Sequence, residues 1–329
     1  FDDRHALAQF AATGCLNSTF YASAGQQLDK VLELAMRVEP EFVARTALYA
    51  RKRTHMKDMP ALLCAILSVR SPGLLAEVFD RVIDNPKMLR NFVQIMRSGV
   101  VGRKSLGSLP KRLILQWLAG RTDRQIFFGS VGTSPSLADI VKMVHPKPET
   151  ASRENLYGYM IGREHNPEAL DELVQQYERF KRSDNRGGMA APDVPFQMLT
   201  SLELDKRHWI GIAENASWQM TRMNLNTFLR HGVLDKRKMV RLIAKRLADP
   251  ELIAKARVLP YQLMTAYMCA SKDLPNKIRH ALQDAMEIAL ENVPAVDGKV
   301  YVFPDVSGSM HSPVTGYRHG ATTAVRCID

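Results

Sequence analysis

Three oxygen-bearing side chains occupy alternate positions in residues 305–309, which read Asp-Val-Ser-Gly-Ser. They follow directly on residues 299–304, whose composition is typical of a β-strand. A carboxylate and two hydroxyls on a tight turn where a strand ends can point three hard oxygen ligands at one divalent cation. The spacing therefore predicts a cation site, with Mg²⁺ as the expected ion and Asp305, Ser307 and Ser309 as its ligands. The alternative is an ordinary turn from strand to helix in which Ser309 caps the helix.

Motifs for other catalytic chemistry are missing from the sequence. The chain has no G-x-x-x-x-G-K-[ST] phosphate-binding loop, and Ser307 lacks the flanking glycines of a G-x-S-x-G nucleophile elbow. No cluster of carboxylates at two-metal spacing occurs in the rest of the chain, which makes a nuclease the weakest of the functions considered. We therefore expect a protein that is not an enzyme.

The elements that must position the 305–309 loop are mostly helices. Apolar residues recur at helical spacing in segment after segment, separated by short stretches containing Pro, Gly, Asn or Asp. The pattern predicts helices over residues 27–36, 40–53, 59–68, 73–84, 86–98, 109–119, 136–144, 155–161, 167–181, 195–202, 208–216, 220–230, 236–248, 260–270 and 276–292.

This many helices with short connections suits helical pairs of the HEAT type, stacked as a ring-like or curved solenoid. A compact all-helical bundle is the alternative, because no fixed sequence period is obvious. The polar run 183–189 predicts a surface loop or a joint between two halves of the array. We predict a helical-repeat domain over 1–297 and, over 298–329, the first strand, loop and helix of an α/β domain. Since one strand and one helix cannot form a doubly wound sheet, we expect a longer protein or an unfinished domain.

The chain is globular in composition and strongly basic. Its 329 residues are 46% hydrophobic and 24% charged, and 45 Lys and Arg against 34 Asp and Glu give a net charge of +11. A sequence pI near 9.5 favours polyanionic partners such as nucleic acid or an acidic membrane surface. Four dispersed cysteines without a C-x-x-C pair indicate neither a zinc site nor a disulfide framework, and they fit a cytoplasmic protein. No apolar run is long enough to span a membrane.

Basic residues concentrate on the predicted helix 236–248. Apolar residues at helical spacing form its packing side, and four cations share about a third of the circumference opposite them. These cations are Arg237, Lys238, Arg241 and Lys245. They are candidates for binding a polyanion, and a simply solvated helix face is the alternative.

Three further segments carry candidate phosphate-binding residues. The Gly-flanked loop 102–107 and the start of the next helix combine backbone amides, hydroxyls and cations, although helix capping with solvated charges would use the same residues. The helix predicted over 136–144 ends in a His-Pro-Lys-Pro turn, whose histidine could stack on a base, bond a phosphate or be structural. In 220–230, polar side chains at i, i+4 and i+8 could line a channel or hydrogen-bond neighbouring helices. The candidates are Arg103, Lys104, Lys111 and Arg112; Lys142, His145 and Lys147; and Arg222, Asn226 and Arg230.

In their order along the chain, these motifs resemble the Ro autoantigen family and its bacterial Ro-sixty-related members. The resemblance covers essentially the whole chain. It rests on Met-Arg-Ser-Gly at 96–99, Gly-Arg at 102–103, Gln-Trp at 116–117, the run 137–148 with its His-Pro-Lys-Pro ending, Met-Asn-Leu at 223–225, Ala-Lys-Ala-Arg-Val-Leu-Pro at 254–260, and the loop 305–310.

The resemblance implies a TROVE module, a ring of HEAT-like helical pairs, closed by a von Willebrand factor A-like domain. Members of the family hold small noncoding Y RNAs on a basic outer surface and admit single-stranded 3′ ends of misfolded RNAs through the central hole. Bacterial relatives work with an exoribonuclease in RNA maturation or degradation. For this chain the resemblance implies a monomeric ring that binds Y-like RNA and the 3′ ends of structured or misfolded RNA in RNA quality control.

Some candidate residues also follow from the resemblance. His145 matches the histidine before the Lys-Pro turn in the family's Y RNA-contacting region. Residues 127–132 do not match the family's basic residues upstream of that helix, and Arg121 and Arg124 are the candidates to substitute for them.

The 305–309 loop is similar to the metal-ion-dependent adhesion site of A-type domains, with Asp305, Ser307 and Ser309 at the matching positions. The family's remaining metal ligands come from later loops. The function we expect is therefore RNA binding without catalysis. The alternative is a helical protein-interaction scaffold whose A-type domain captures a partner's carboxylate through Mg²⁺, with no direct role in RNA binding.

Overall fold

The computed structural model describes residues 2–14, 16, 23–314, 323 and 325–329. Eighteen α-helices lie in these residues, so the prediction of a mainly helical fold is confirmed. In chain order they are α1 (Asp3–Thr13), α2 (Ala24–Arg37), α3 (Pro40–Lys52), α4 (Asp58–Arg70), α5 (Pro72–Val82), α6 (Pro86–Ser98), α7 (Ser108–Ala119), α8 (Asp123–Gly129), α9 (Leu137–Val144), α10 (Ala151–Ile161), α11 (Glu172–Arg182), α12 (Lys206–Asn215), α13 (Trp218–Met223), α14 (Leu225–Arg230), α15 (Arg237–Leu247), α16 (Pro250–Ala256), α17 (Pro260–Met268) and α18 (Asn276–Ala289).

Local sequence signals set the ends of these helices. At the start of α9, the Ser136 hydroxyl accepts a hydrogen bond from the Asp139 N–H at 3.0 Å, and the Asp139 carboxylate accepts one from the Ser136 N–H at 2.9 Å. This reciprocal pair is a capping box. α6 begins after an Asn85 cap with Pro86 at its first position, and it ends at Gly99, whose φ of +85° is the left-handed conformation that favours glycine.

Contacts divide the chain into two compact units, residues 1–178 and 179–329. The core of the first unit is built on α4, which packs against α3, α5 and α6. Residues 59–68 of α4 are all buried. A helix that is apolar on all sides has no solvent face to offer, so its neighbours must surround it.

The second unit packs on α18, which contacts α15, α16 and α17. The buried residues of α18 recur every three or four positions and form one apolar stripe. They are Ile278, Ala281, Leu282, Ala285 and Ala289. This stripe holds α15 in place by its apolar side.

Three arginines cap the ends of helices that precede them in the chain. Arg70, Arg153 and Arg246 each donate to two main-chain carbonyls that lie 32–35 residues earlier. The acceptors are Ala35 and Val38 for Arg70, Leu118 and Arg121 for Arg153, and Ala213 and Glu214 for Arg246. Carbonyls in the last turn of a helix are short of intrahelical donors, so each arginine supplies donors where the helix ends. The same contact between an arginine and an earlier helix end thus occurs three times, although the sequence has no obvious fixed period.

Several individual helix predictions need correction. The helix predicted over 220–230 breaks into α13 and α14 at Asn224, whose side chain donates to the Met220 carbonyl at 2.9 Å and so competes with the backbone ladder. Residues 195–202 contain only the 3₁₀ turn Phe196–Met198. The sequence pattern misses α1, α8 and α16; α8 and α16 have 7 residues each, too few for a helical period to show.

The strand predicted over 299–304 is not formed, and no β-strand occurs among the described residues. A strand is stabilised by pairing with a neighbouring strand, and this part of the structure offers none. The loop continues into the short 3₁₀ helix Gly308–His311, and one antiparallel bridge joins Pro313 to Arg326. Residues 315–322, within the helix predicted to follow the loop, lie outside the described residues.

Candidate nucleic-acid interface

His145 stands at the turn that ends α9. Its φ of +51° is left-handed, and its N–H donates to the Val141 carbonyl at 3.0 Å, which closes the last helical turn. Pro146 follows and cannot continue the helix. The imidazole is exposed at this turn, so the backbone holds the residue in place while the ring stays accessible.

A cavity of about 570 Å³ opens beside this turn; we call it the His145 groove. Its walls include Lys111 of α7, His145 and Lys147 of the turn, and Arg153 and Tyr157 of α10. Lys111 and Lys147 come from separate segments that the sequence analysis treated independently. The fold brings them to one groove with His145, where two ammonium groups and an imidazole can meet the same polyanion.

Arg153 forms the fixed side of the His145 groove. Its Nε donates to Asp123, its Nη2 donates to the Arg121 carbonyl, and its Nη1 donates to the Leu118 carbonyl at 3.1 Å. The guanidinium also lies 5.7 Å from the Tyr157 ring centroid. Burial raises the pKa of the Tyr157 hydroxyl, which therefore stays neutral. Arg153 was not among the predicted residues, because a sequence does not distinguish a tethered arginine from a solvated one.

A second cavity of about 340 Å³ lies on the other side of the same turn. Lys142, His145 and Arg163 line it together with Glu154 and Glu164. Two carboxylates balance two cations here, whereas the His145 groove has three cations against the single carboxylate of Glu149. This cavity therefore suits a phosphate less well than the His145 groove does.

The glycine-flanked loop before α7 folds back on itself. Arg103 Nε donates to the Ser105 carbonyl at 3.1 Å. The φ of +77° at Gly107 favours glycine, and a Cβ there would lie 1.9 Å from Arg103 Nη2, so the guanidinium packs directly on this residue. Lys104 and Arg112 are exposed. Arg103 therefore supports the loop, and the other two cations face solvent.

Arg121 and Arg124, the candidates to replace missing family cations, have different surroundings. The Arg121 guanidinium lies 4.5 Å from the Trp117 ring centroid, which is a cation–π contact. Arg124 makes an exposed ion pair with Asp171 at 3.4 Å. Exposed pairs of this kind contribute little to stability, so Arg124 can be recruited by another anion at small cost.

The predicted polar stripe of residues 222, 226 and 230 is mostly engaged inside the second unit. Arg222 Nη1 donates to the Gln262 carbonyl at 2.9 Å, and Asn226 Nδ2 donates to the Cys269 carbonyl at 2.9 Å. Burial lowers the pKa of Arg222. These contacts match the alternative in which the stripe hydrogen-bonds neighbouring helices. Arg230 is exposed at the end of α14.

The four cations predicted on α15 form one exposed ridge, which we call the α15 ridge. It consists of Arg237, Lys238, Arg241 and Lys245. Lys238 of this ridge lies 3.7 Å from the Glu214 carboxylate, and the lysine side chain is 84% exposed. On the opposite side, Met239, Ile243 and Leu247 are buried, as the helical period predicts.

The loop at 305–309 gathers its three oxygen-bearing side chains. Asp305 Oδ1 accepts from the Ser307 N–H at 2.8 Å, and the Ser307 and Ser309 hydroxyl oxygens lie 3.0 Å apart. The backbone and hydroxyl groups of Ser307 lower the pKa of Asp305, so the carboxylate is charged. These hard oxygen donors fit a partial shell for a divalent cation. No cluster of three or more His, Cys, Asp or Glu side chains completes such a shell among the described residues.

No helix in the described part of the chain is long and apolar enough to cross a membrane. No family model matches the sequence, and no curated protein matches it. The fold is similar to that of the Ro protein (RSR) of Deinococcus radiodurans, with a TM-score of 0.68 and 19% sequence identity. The match covers 89% of this chain and 65% of the Deinococcus chain, so this chain spans less than two thirds of its neighbour. The resemblance to the Ro family that the motif order predicts is confirmed at the level of the fold, and the helical chain folds as a Ro protein does.

Proposed function

We propose that this protein binds RNA without cleaving it, as a Ro-type protein. The observation that carries the proposal is the meeting of Lys111, His145 and Lys147 at one groove of a Ro-like fold. Lysine ammonium groups neutralise phosphates and release counterions, and an exposed imidazole can stack on an unpaired base. The groove therefore offers both the charge and the aromatic surface that a single-stranded or looped RNA needs.

The α15 ridge is the second RNA contact that we propose. Four exposed cations on one helix face can follow a phosphate backbone without reading its bases. By the family resemblance, Y-like RNA would occupy a basic outer surface. Single-stranded 3′ ends of structured or misfolded RNA would enter the hole of a monomeric ring, with an exoribonuclease as partner in RNA quality control. The thiols of Cys64, Cys269 and Cys327 are free, in keeping with a cytoplasmic protein.

Substitution at the His145 groove tests the proposal. In Lys111→Gln/Lys147→Gln, loss of two phosphate contacts should weaken binding of a single-stranded RNA about tenfold and lower the log–log salt slope by about 1.5. His145→Asn should weaken binding at all salt concentrations, since asparagine tolerates the left-handed backbone but cannot stack. Fluorescence anisotropy with a labelled oligonucleotide measures both effects.

The charge-matched control is Arg45→Gln/Arg81→Gln. Both arginines are exposed in the same unit and line neither cavity beside His145. This control should retain the affinity of the unmodified protein. If the control loses as much RNA affinity as Lys111→Gln/Lys147→Gln, the effect comes from net charge alone. That result would overturn the role of the groove.

We also propose a divalent-cation site at Asp305, Ser307 and Ser309, with Mg²⁺ as the ion. The short hydroxyl–hydroxyl distance and the charged carboxylate support it. Such a site would let the loop capture a carboxylate of a protein partner. This is the scaffold function that competes with RNA binding as the main role of the chain.

A further inference from the structure

A third cavity, of about 400 Å³ and also lined by cations, lies between the start of α6 and α8. We call it the Arg90 groove. Lys87, Arg90, Trp117, Arg121 and Phe128 line it. Neither the motif order nor the resemblance to the Ro family points to Lys87 or Arg90.

Arg90 is partly buried in this groove. Its Nε is buried without a hydrogen-bond partner, and no ion pair of Arg90 occurs in the described residues. A Cβ at Gly132, where φ is +111°, would lie 1.8 Å from Arg90 Nη1, so the guanidinium packs directly on this glycine. Burial lowers the pKa of Arg90, which reflects an unfavourable site for its charge in the free protein. An anion entering the groove would remove that penalty.

The net charge of the groove is positive. Lys87 is exposed at its rim, and Arg121 contributes a third cation. Asp84 is the one carboxylate of the lining. Although burial opposes it, the hydrogen bonds and charge of Arg51 hold the pKa of Asp84 below its ordinary value, and Arg51 Nε and Nη2 both donate to that carboxylate at 2.9 Å. Asp84 is thus already neutralised and does not compensate Arg90.

The lining also offers apolar surface beside the charges. Phe128 and Pro86 lie in the wall, and a Cβ at Gly129 would come within 2.6 Å of Pro86, so this glycine allows α8 to approach α6. α7 separates the Arg90 groove from the His145 groove: Trp117 faces the first, and Lys111 and Gln116 face the second. One RNA strand crossing α7 would meet cations on both sides.

We propose that the Arg90 groove is a phosphate-binding subsite for RNA, in which the Arg90 guanidinium takes a backbone phosphate and Lys87 and Arg121 assist it. The subsite rests on the proposed RNA-binding function. It extends the RNA contact from the His145 groove across α7 and adds Lys87 and Arg90, to which the family resemblance does not point.

Replacing Arg90 tests the subsite through two opposite effects. Arg90→Met removes an uncompensated charge while keeping the length of the side chain, so the thermal midpoint of the free protein should stay equal or rise. RNA affinity should fall about tenfold, and the log–log salt slope should decrease by about 0.7 for one lost contact to a single strand. A purely structural arginine would instead show a lower midpoint with unchanged affinity, and that result would overturn the proposal.

If Arg90→Met folds poorly, Lys87→Gln tests the same groove with a different residue. Lys87 is exposed, so its replacement leaves the fold intact, and it should still lower RNA affinity about threefold. Arg81→Gln on α5 is the matched control and should have no effect. If neither Lys87→Gln nor a folded Arg90→Met differs from Arg81→Gln, the subsite does not exist.

Two further measurements distinguish an RNA subsite from a site for small anions, and failure of the subsite from failure of the proposed function. Inorganic phosphate, titrated by calorimetry, should bind weakly and should compete with RNA less well in Arg90→Met than in the unmodified protein. Tight phosphate binding with unchanged RNA affinity in Arg90→Met would identify a small-anion site and overturn the RNA assignment. Absence of RNA binding by the unmodified protein would instead refute the proposed function as a whole.

Discussion

Individual arginines in this protein divide into tethered and available groups. Arg70, Arg153 and Arg246 are committed to main-chain carbonyls, whereas Arg237 and Arg241 face solvent on α15. The net charge of +11 therefore overstates the cations that can meet a ligand. Only the position of each residue in the fold distinguishes the two groups, because the side chain is arginine in both.

The Asp139 carboxylate gives a pH-dependent test at the residue scale. Hydrogen bonds from the Ser136 hydroxyl and backbone N–H lower its pKa, so the charged form stabilises the start of the helix that ends at His145. This stabilisation is complete above the unfolded-state pKa of about 3.9 and is lost as the pH falls through the lowered folded-state pKa. Asp139→Asn should therefore lower the thermal midpoint at neutral pH by about 1–2 °C.

The difference should shrink as the pH falls through the lowered folded-state pKa, because Asp139 then becomes protonated in both the folded and unfolded states. Differential scanning calorimetry of the two proteins measures this. A difference that persists unchanged in acid would assign the effect to side-chain shape rather than to charge.

The candidate site was predictable from the sequence only in part. Residues 145 and 147 belong to a visible motif, and Lys111 was a candidate for its position at a helix start, but their meeting at one groove is a property of the fold. Arg90 gives no signal at all, since it is one cation on an amphipathic helix. Its significance comes from the absence of a counterion among the described residues and from a glycine that lies 42 positions later in the chain.

At the scale of elements, α7 and α9 organise the interface in the first unit. α7 contributes lining residues to both the His145 groove and the Arg90 groove, and α9 ends at the turn that holds His145. The hydrophobic period predicted these two helices because both bury one side. It failed at α13 and α14, where an asparagine side chain interrupts the ladder, and at the very short helices. The spacing of apolar residues indicates which side of a helix is buried, but it does not indicate where a side chain competes for the backbone hydrogen bonds.

The loop at 305–309 yields a prediction about metal binding. Asp305→Asn should reduce Mn²⁺ binding several-fold, because a neutral amide is a weaker ligand for a hard cation than a carboxylate. The free-ion signal in electron paramagnetic resonance measures bound Mn²⁺, with Mg²⁺ as competitor. Asp297→Asn, an exposed aspartate on the same segment, is the control. Equal Mn²⁺ binding by all three proteins would exclude a site at this loop.

At the scale of the whole molecule, both compact units carry exposed cations. The first unit has the His145 and Arg90 grooves, and the second has the α15 ridge. The likeness to the fold of the Deinococcus Ro protein covers 89% of this chain and therefore extends over both units. Motif order in the sequence predicted that fold although the identity is only 19%.

A salt titration of RNA binding tests the central claim most directly. The ligand is a structured RNA with a single-stranded 3′ tail, compared with the same RNA without the tail. We predict a linear decrease of log K with log salt concentration, with a slope of several units, since each phosphate contact contributes about 0.7–0.9. Removing the tail should weaken binding, and Lys238→Glu/Arg241→Glu should lower the slope. A flat salt dependence, or equal binding with and without the tail, would contradict the account.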